Sequence, residues 1–109
     1  GATLAIVNLL RNPQTRPIKM SNKVDSTQTP AYVFHNTHSD NCKAVLDVLA
    51  LPAQPSGSYL QFWALVDGKP VSMGMIKADS TGLQTFPCVP DAAGFAVSIE
   101  DKPDGNQTP

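Results

Sequence analysis

The chain has 109 residues, enough for one domain around one hydrophobic core and too few for two comfortable ones. Apolar residues make up 41% and charged residues 16%, with 10 prolines and 7 glycines cutting the sequence into short pieces, a composition that favours a turn-rich β domain over a helical one. The net charge of −1, from 8 basic and 9 acidic side chains, offers no footprint for a phosphate backbone and argues against direct nucleic-acid binding.

No apolar run approaches the roughly 20 residues that cross a bilayer, and the run at 4–10 is interrupted by Asn8. No signal-peptide pattern is present, and Gly1 reads as a cloning remnant, so the sequence is expected to be a piece of a longer protein.

In chain order, short apolar or alternating runs recur between Pro, Gly, Asn, Asp and Ser clusters. Strands are expected at 5–10, 17–20, 31–35, 44–49, 59–66, 69–76, 84–86 and 95–100. Segment 22–30, rich in Ser, Thr and Gln, reads as a longer loop. Within 41–51, Cys42, Val45, Leu46 and Leu49 fit a helical spacing, but Val45 and Val48 prefer strands and Pro52 closes the run, so a strand is expected. Pro52, Pro55, Ser56 and Gly57 mark a loop.

In the aromatic run that follows, Leu60, Phe62, Ala64 and Val66 form one wholly apolar face, and Tyr59, Gln61, Trp63 and Leu65 form the other. Asp67-Gly68 tolerates the positive φ of a tight hairpin turn and joins this run to the next. Pro87 and Pro90 interrupt the approach to the last strand, where Phe95, Val97 and Ile99 should face the core and Ala96, Ser98 and Glu100 the solvent. The polar stretch from 101 onward cannot bury enough apolar surface to repay ordering, so a domain over 1–100 with a polar tail over 101–109 is expected. The expected fold class is all-β: an antiparallel immunoglobulin-like β-sandwich of seven or eight short strands, with a small closed barrel as the alternative.

Candidate chemistry is sparse. "HNTHSDNC", residues 35–42, collects His35, His38, Asp40 and Cys42, all of which can ligate zinc, but without the paired spacing of structural zinc sites. A solvated turn is the preferred reading, and no metal or other cofactor is expected. Cys42 and Cys88 permit one disulfide without requiring it, and two free thiols are the expectation. Ser39-Asp40-Asn41 lacks the Ser-x-x-Lys and Lys-Thr-Gly partners of penicillin-interacting enzymes. No nucleophile elbow, phosphate loop or zinc-protease helix occurs, the sole glutamate is Glu100, and only the dispersed Asp25, Asp47 and Asp79 are left as an acid–base set, so no enzyme is expected. Tyr59, Trp63 and Tyr32 are the candidates for stacking a glycan or peptide, with core packing the favoured role of Trp63. Met73 and Met75, flanking Gly74, read as packing rather than as a copper site.

"YLQFWALVDGKPVSMGMI", followed by "GLQTF" and "AAGFAVSIEDKPDGNQTP", resembles the C-terminal extracytoplasmic domain of the anti-sigma-K factor family. In that family a Tyr-x-x-Trp strand, a short turn and a glycine-ending strand precede a Phe-Ala-Val-Thr-x-Glu strand. The similarity is specific over 59–100, extends weakly back through "AVLDVLALPAQPSGSY", and before Ala31 reduces to a plausible first strand. Tyr59 and Trp63 stand one residue further apart than in the family motif, so either a bulge displaces Tyr59 or Leu60 takes the tyrosine position. The end "DKPDGNQTP" matches the family tail approximately.

The resemblance implies a membrane-anchored anti-sigma factor of a bacterial cell envelope. Its cytoplasmic segment, absent here, would hold an extracytoplasmic-function sigma factor, and a membrane helix, also absent here, would carry this domain on the periplasmic side of the inner membrane. A regulatory membrane protease would release the sigma factor and hence transcription. The competing readings are an independent periplasmic glycan- or peptide-binding sandwich and a small secreted hydrolase.

Overall fold

The computed structural model describes residues 2–20, 31–37, 42–49, 51, 56–77 and 82–109. Its elements are α1 (Ala2–Arg11), β1 (Arg16–Met20), β2 (Ala31–Asn36), β3 (Lys43–Asp47), β4 (Tyr59–Val66), β5 (Lys69–Met75), β6 (Leu83–Pro87) and β7 (Gly94–Glu100). The strands form two antiparallel sheets, β1-β2-β3-β6 and β5-β4-β7, packed as a sandwich and not closed into a barrel. The four-plus-three count is that of a constant-type immunoglobulin domain, with a strand order of its own.

The period of two explains the inner layer. Val33, Ala44, Leu46 and Phe86 from the four-stranded sheet meet Phe62, Ala64 and Phe95 from the other. Phe62 is fully buried at the centre, its ring 4.7 Å from Phe86 and 5.4 Å from Phe95. The β4–β5 turn forms as its sequence dictates, with Asp67 at φ 52° and Gly68 at φ 75°, both in the left-handed region that matches strand twist.

Three expectations are corrected. Residues 5–10 are not a strand but part of α1. The apolar residues Ile6 and Leu9 stand three apart, Ala and Leu supply helix propensity across the segment, and Pro13 prevents continuation. The helix lies on the outer face of the four-stranded sheet, where Ile6 and Leu9 meet Val45 and Thr85. Its end is fixed when the Thr15 hydroxyl donates to the Leu9 carbonyl at 2.6 Å and Asn36 Nδ2 donates to Thr15 Oγ1 at 3.2 Å.

Second, Cys42 and Cys88 are not free thiols but a disulfide, with Cα atoms 5.2 Å apart. Lys43 pairs with Pro87 in the β3–β6 ladder, so the two cysteines extend that register by one residue. Third, the face of β7 expected to be wet is covered at its end: Glu100 is buried, while Ile99, expected inside, is 56% exposed. The expected loop at 22–30 lies outside the described residues, as do Pro52 and Pro55.

Two measurements check this frame. Phe62→Ala removes the central ring and should cost about 3–5 kcal/mol in chemical denaturation. Breaking the Cys42–Cys88 bridge, which spans a sequence separation of 46, should cost about 4 kcal/mol on the loop-closure relation, read as a lower denaturation midpoint after reduction.

Candidate functional site

Among the described residues, the outer face of β4 carries an extended hydrogen-bonded polar group. Gln61 and Trp63, although on the face away from the inter-sheet core, are 2% and 0% exposed. Burying an amide and an indole requires partners for their polar atoms. Gln61 Nε2 donates to Ser72 Oγ at 2.7 Å and to the Asn106 carbonyl at 2.9 Å, while Gln61 Oε1 accepts from the Asn106 backbone N–H at 2.9 Å. The side-chain amide therefore engages both backbone groups of Asn106, as a neighbouring strand would.

A second chain of bonds runs beside it. Trp63 Nε1 donates to Ser98 Oγ at 2.7 Å, the Ser98 hydroxyl donates to Glu100 Oε2, and Asn106 Nδ2 donates to Glu100 Oε1 at 2.6 Å. Residues 101–109 contain no strand, yet Gly105 and Asn106 close over this face. Gly105 sits at φ 77°, and a Cβ there would meet Gln61 Oε1 and lie 2.7 Å from Met75 Sδ. Glycine is required for both the backbone conformation and the close approach.

The irregularity expected near Tyr59 lies elsewhere. The β4–β7 register runs without interruption from Tyr59 to Leu65, whereas in the β4–β5 ladder Phe62 pairs with Gly74 and Trp63 with Ser72. The extra residue is Met73 on β5, and Gly74 at φ 114° accommodates the bulge.

The sequence-derived candidates are dispersed. Trp63 has no exposed area, Tyr59 is half-buried, and Tyr32 lies on the outer face of the other sheet, 37% exposed. These three do not form one platform. Of the residues that can bind metal, Cys42 is in the disulfide, His35 faces the inter-sheet core, and His38 and Asp40 lie outside the described residues. His35 is therefore not part of a solvated turn: it is 5% exposed, its ring edge-on to Phe95 at 5.0 Å between centroids, and its Nε2 has no hydrogen-bond partner. Burial holds its pKa below the usual 6.5. Its strand neighbours are Arg16 on β1, whose fixed positive charge also opposes protonation, and the apolar Ala44 on β3. His35 faces Phe95 inside the sandwich and Glu100 stands on the outer face of the same strand, so the three-stranded sheet separates them and no carboxylate–imidazole pair forms between them. Of the dispersed aspartates, Asp25 and Asp79 lie outside the described residues.

Gln61 and Asn106 were not legible as partners. A lone glutamine in an apolar run hints at an internal hydrogen bond, but nothing in the spacing of 45 residues points to Asn106.

The model of one protein family, described as anti-sigma-K factor rskA, C-terminal, matches residues 2–109. The chain belongs to the anti-sigma-K factor C-terminal family. The match extends beyond the specific resemblance over 59–100, taking in α1 at one end and the segment that closes over Gln61 at the other. No curated protein and no solved structure matches the chain.

Gly105→Ala should lower stability by about 1–3 kcal/mol or more, because left-handed strain and a close contact add. Gly57→Ala, at φ 76° with open space around the Cβ, should show the conformational part alone. For His35, the unfolded chain takes up a proton near pH 6.5 while the folded one resists it, so its contribution is fully present above that pH and is lost as pH falls toward the lowered folded value. The loss should approach about 1.4 kcal/mol per pH unit, and His35→Leu should flatten that part of a denaturation series from pH 7.5 to about 5.

Proposed function

We propose that this chain is the extracytoplasmic regulatory domain of a membrane-anchored anti-sigma factor that controls an extracytoplasmic-function sigma factor and hence transcription. The observation that carries the reading is the family match over residues 2–109. The Cys42–Cys88 disulfide supports placement outside the cytoplasm, since such bonds persist in oxidising compartments and are reduced in the cytosol. In this reading the sigma factor is bound by a cytoplasmic part of the parent protein, and a membrane helix joins that part to the sandwich.

The domain acts through its folding equilibrium. A sandwich folded beside the membrane denies a regulatory protease the extended chain that cleavage requires, and local or global opening provides it. The constraints that hold the domain shut are then the regulatory elements: the β3–β6 disulfide, the Phe62 core and the Gln61–Asn106 clamp. No catalytic role is assigned to the chain, and residues 1–100 are read as one domain that the segment 101–109 completes.

Deleting residues 2–109 from the parent protein should change sigma-dependent transcription under envelope stress. Gly105→Ala should shift output in the same direction by a smaller amount. Unaltered transcription in both variants under all conditions would contradict the proposal.

A further inference from the structure

Helix α1 is apolar on more than the side it buries. Seven of the ten residues in ATLAIVNLLR are apolar, as in a helix enclosed all round. Ile6 and Leu9 cover the sheet, but Leu4 remains 61% exposed and Leu10 42% exposed, with the half-buried Val7 between them on one flank. An outward apolar flank on a helix already seated on a sheet is surface that another phase or molecule can cover.

The charges around it have one dominant sign. On α1 and the outer face of the sheet beneath it, the described basic residues are Arg11, Lys19 and Lys43, while Arg16, paired with His35, stands on the inner side; the one described acid on that face is Asp47, half-buried and accepting from the Leu49 N–H at 3.1 Å. Lys19 stands opposite the exposed Tyr32 on the sheet face that carries the helix. Lys43 borders Ile6 and Leu9. The other described acids, Asp67, Asp91, Glu100, Asp101 and Asp104, lie in or around the three-stranded sheet and the closing segment. That part of the chain also carries Lys69, Lys77 and Lys102, so among the described residues the leucine-bearing side is net basic and the other side only mildly acidic.

We propose that α1 and the outer face of the sheet beneath it form a peripheral docking surface for an anionic lipid bilayer, with Leu4 and Leu10 entering the interface and Arg11, Lys19 and Lys43 facing lipid phosphates. Exposed leucines on a short amphipathic helix with cations beside them are the combination that binds bilayer surfaces, the apolar contact and the electrostatic attraction adding. Zwitterionic lipid satisfies only the first. The acidic side turns away from the bilayer, which leaves the Asn106 segment facing solvent. The proposal adds a lipid contact to the membrane-anchored reading, but it stands on the surface itself, so either can fail without the other.

The test is sedimentation of the purified chain with vesicles of phosphatidylglycerol and phosphatidylcholine in equal parts, and with phosphatidylcholine alone, at low and high salt. The mixed vesicles should retain the chain at low salt and release it at high salt, while phosphatidylcholine alone retains little. Lys19→Gln should weaken retention about fivefold. The double variant Leu4→Ser, Leu10→Ser should abolish it while keeping the wild-type circular dichroism and Tm, since both side chains are exposed. No retention, equal retention on both lipids, or retention unaffected by the leucine changes overturns the proposal. Binding to polyglutamate without binding to vesicles also overturns it, in favour of an acidic protein partner.

Discussion

Strand β4 is buried on both faces, and the rest of the fold answers to that constraint. Its inner face, through Phe62 and Ala64, is ordinary sandwich core. Its outer face places a glutamine amide and an indole N–H where water does not reach. A buried polar group left unpaired costs about 1–3 kcal/mol, while a satisfied hydrogen bond contributes about 1 kcal/mol net. Ser72 on β5, Ser98 on β7 and the backbone of Asn106 meet that requirement. The last of these recruits a segment whose composition alone would leave it in solvent.

The two ends of the sandwich are held by different means. Among the described contacts, Gln84 of β6 accepts from the Lys77 N–H at 2.9 Å and donates to the Met75 carbonyl at 3.2 Å, so the edge of one sheet is latched to the chain leaving the edge of the other. The disulfide then fixes the return of the chain to β3 after the β4–β5 hairpin. Opening either sheet disturbs both, which is the cooperativity that a folding-gated regulator needs. His35 is the weak point within this arrangement, an imidazole with an unpartnered nitrogen set against an aromatic ring. Burial there disfavours its charged form.

Local rules were sufficient wherever a residue's role is set by near neighbours. The Asp67-Gly68 turn, the alternation in β4 and the breaks at proline gave most strand positions and the all-β class. The failures came where a distant partner decides. The β3–β6 pairing that brings Cys42 to Cys88 and the closure of Asn106 over Gln61 depend on sheet order, which alternation does not encode. The segment at α1 was misread because its run of Ile, Val and Leu suits either structure, and only docking on the outer sheet face selects the helix. His35 was placed at a strand end, but the run 35–42 was read together as solvated, and its burial against Phe95 depends on the opposite sheet.

The central claim is that the outer face of β4 is sealed by the C-terminal segment through one bonded chain from Trp63 to Asn106. Trp63 is the single tryptophan and reports on that seal directly. Acrylamide quenching of its fluorescence should be weak in the intact chain and rise several-fold in a chain ending at Asp101, with denaturation confirming that the shortened chain still folds. Equal shielding of Trp63 in the two folded chains would contradict the account.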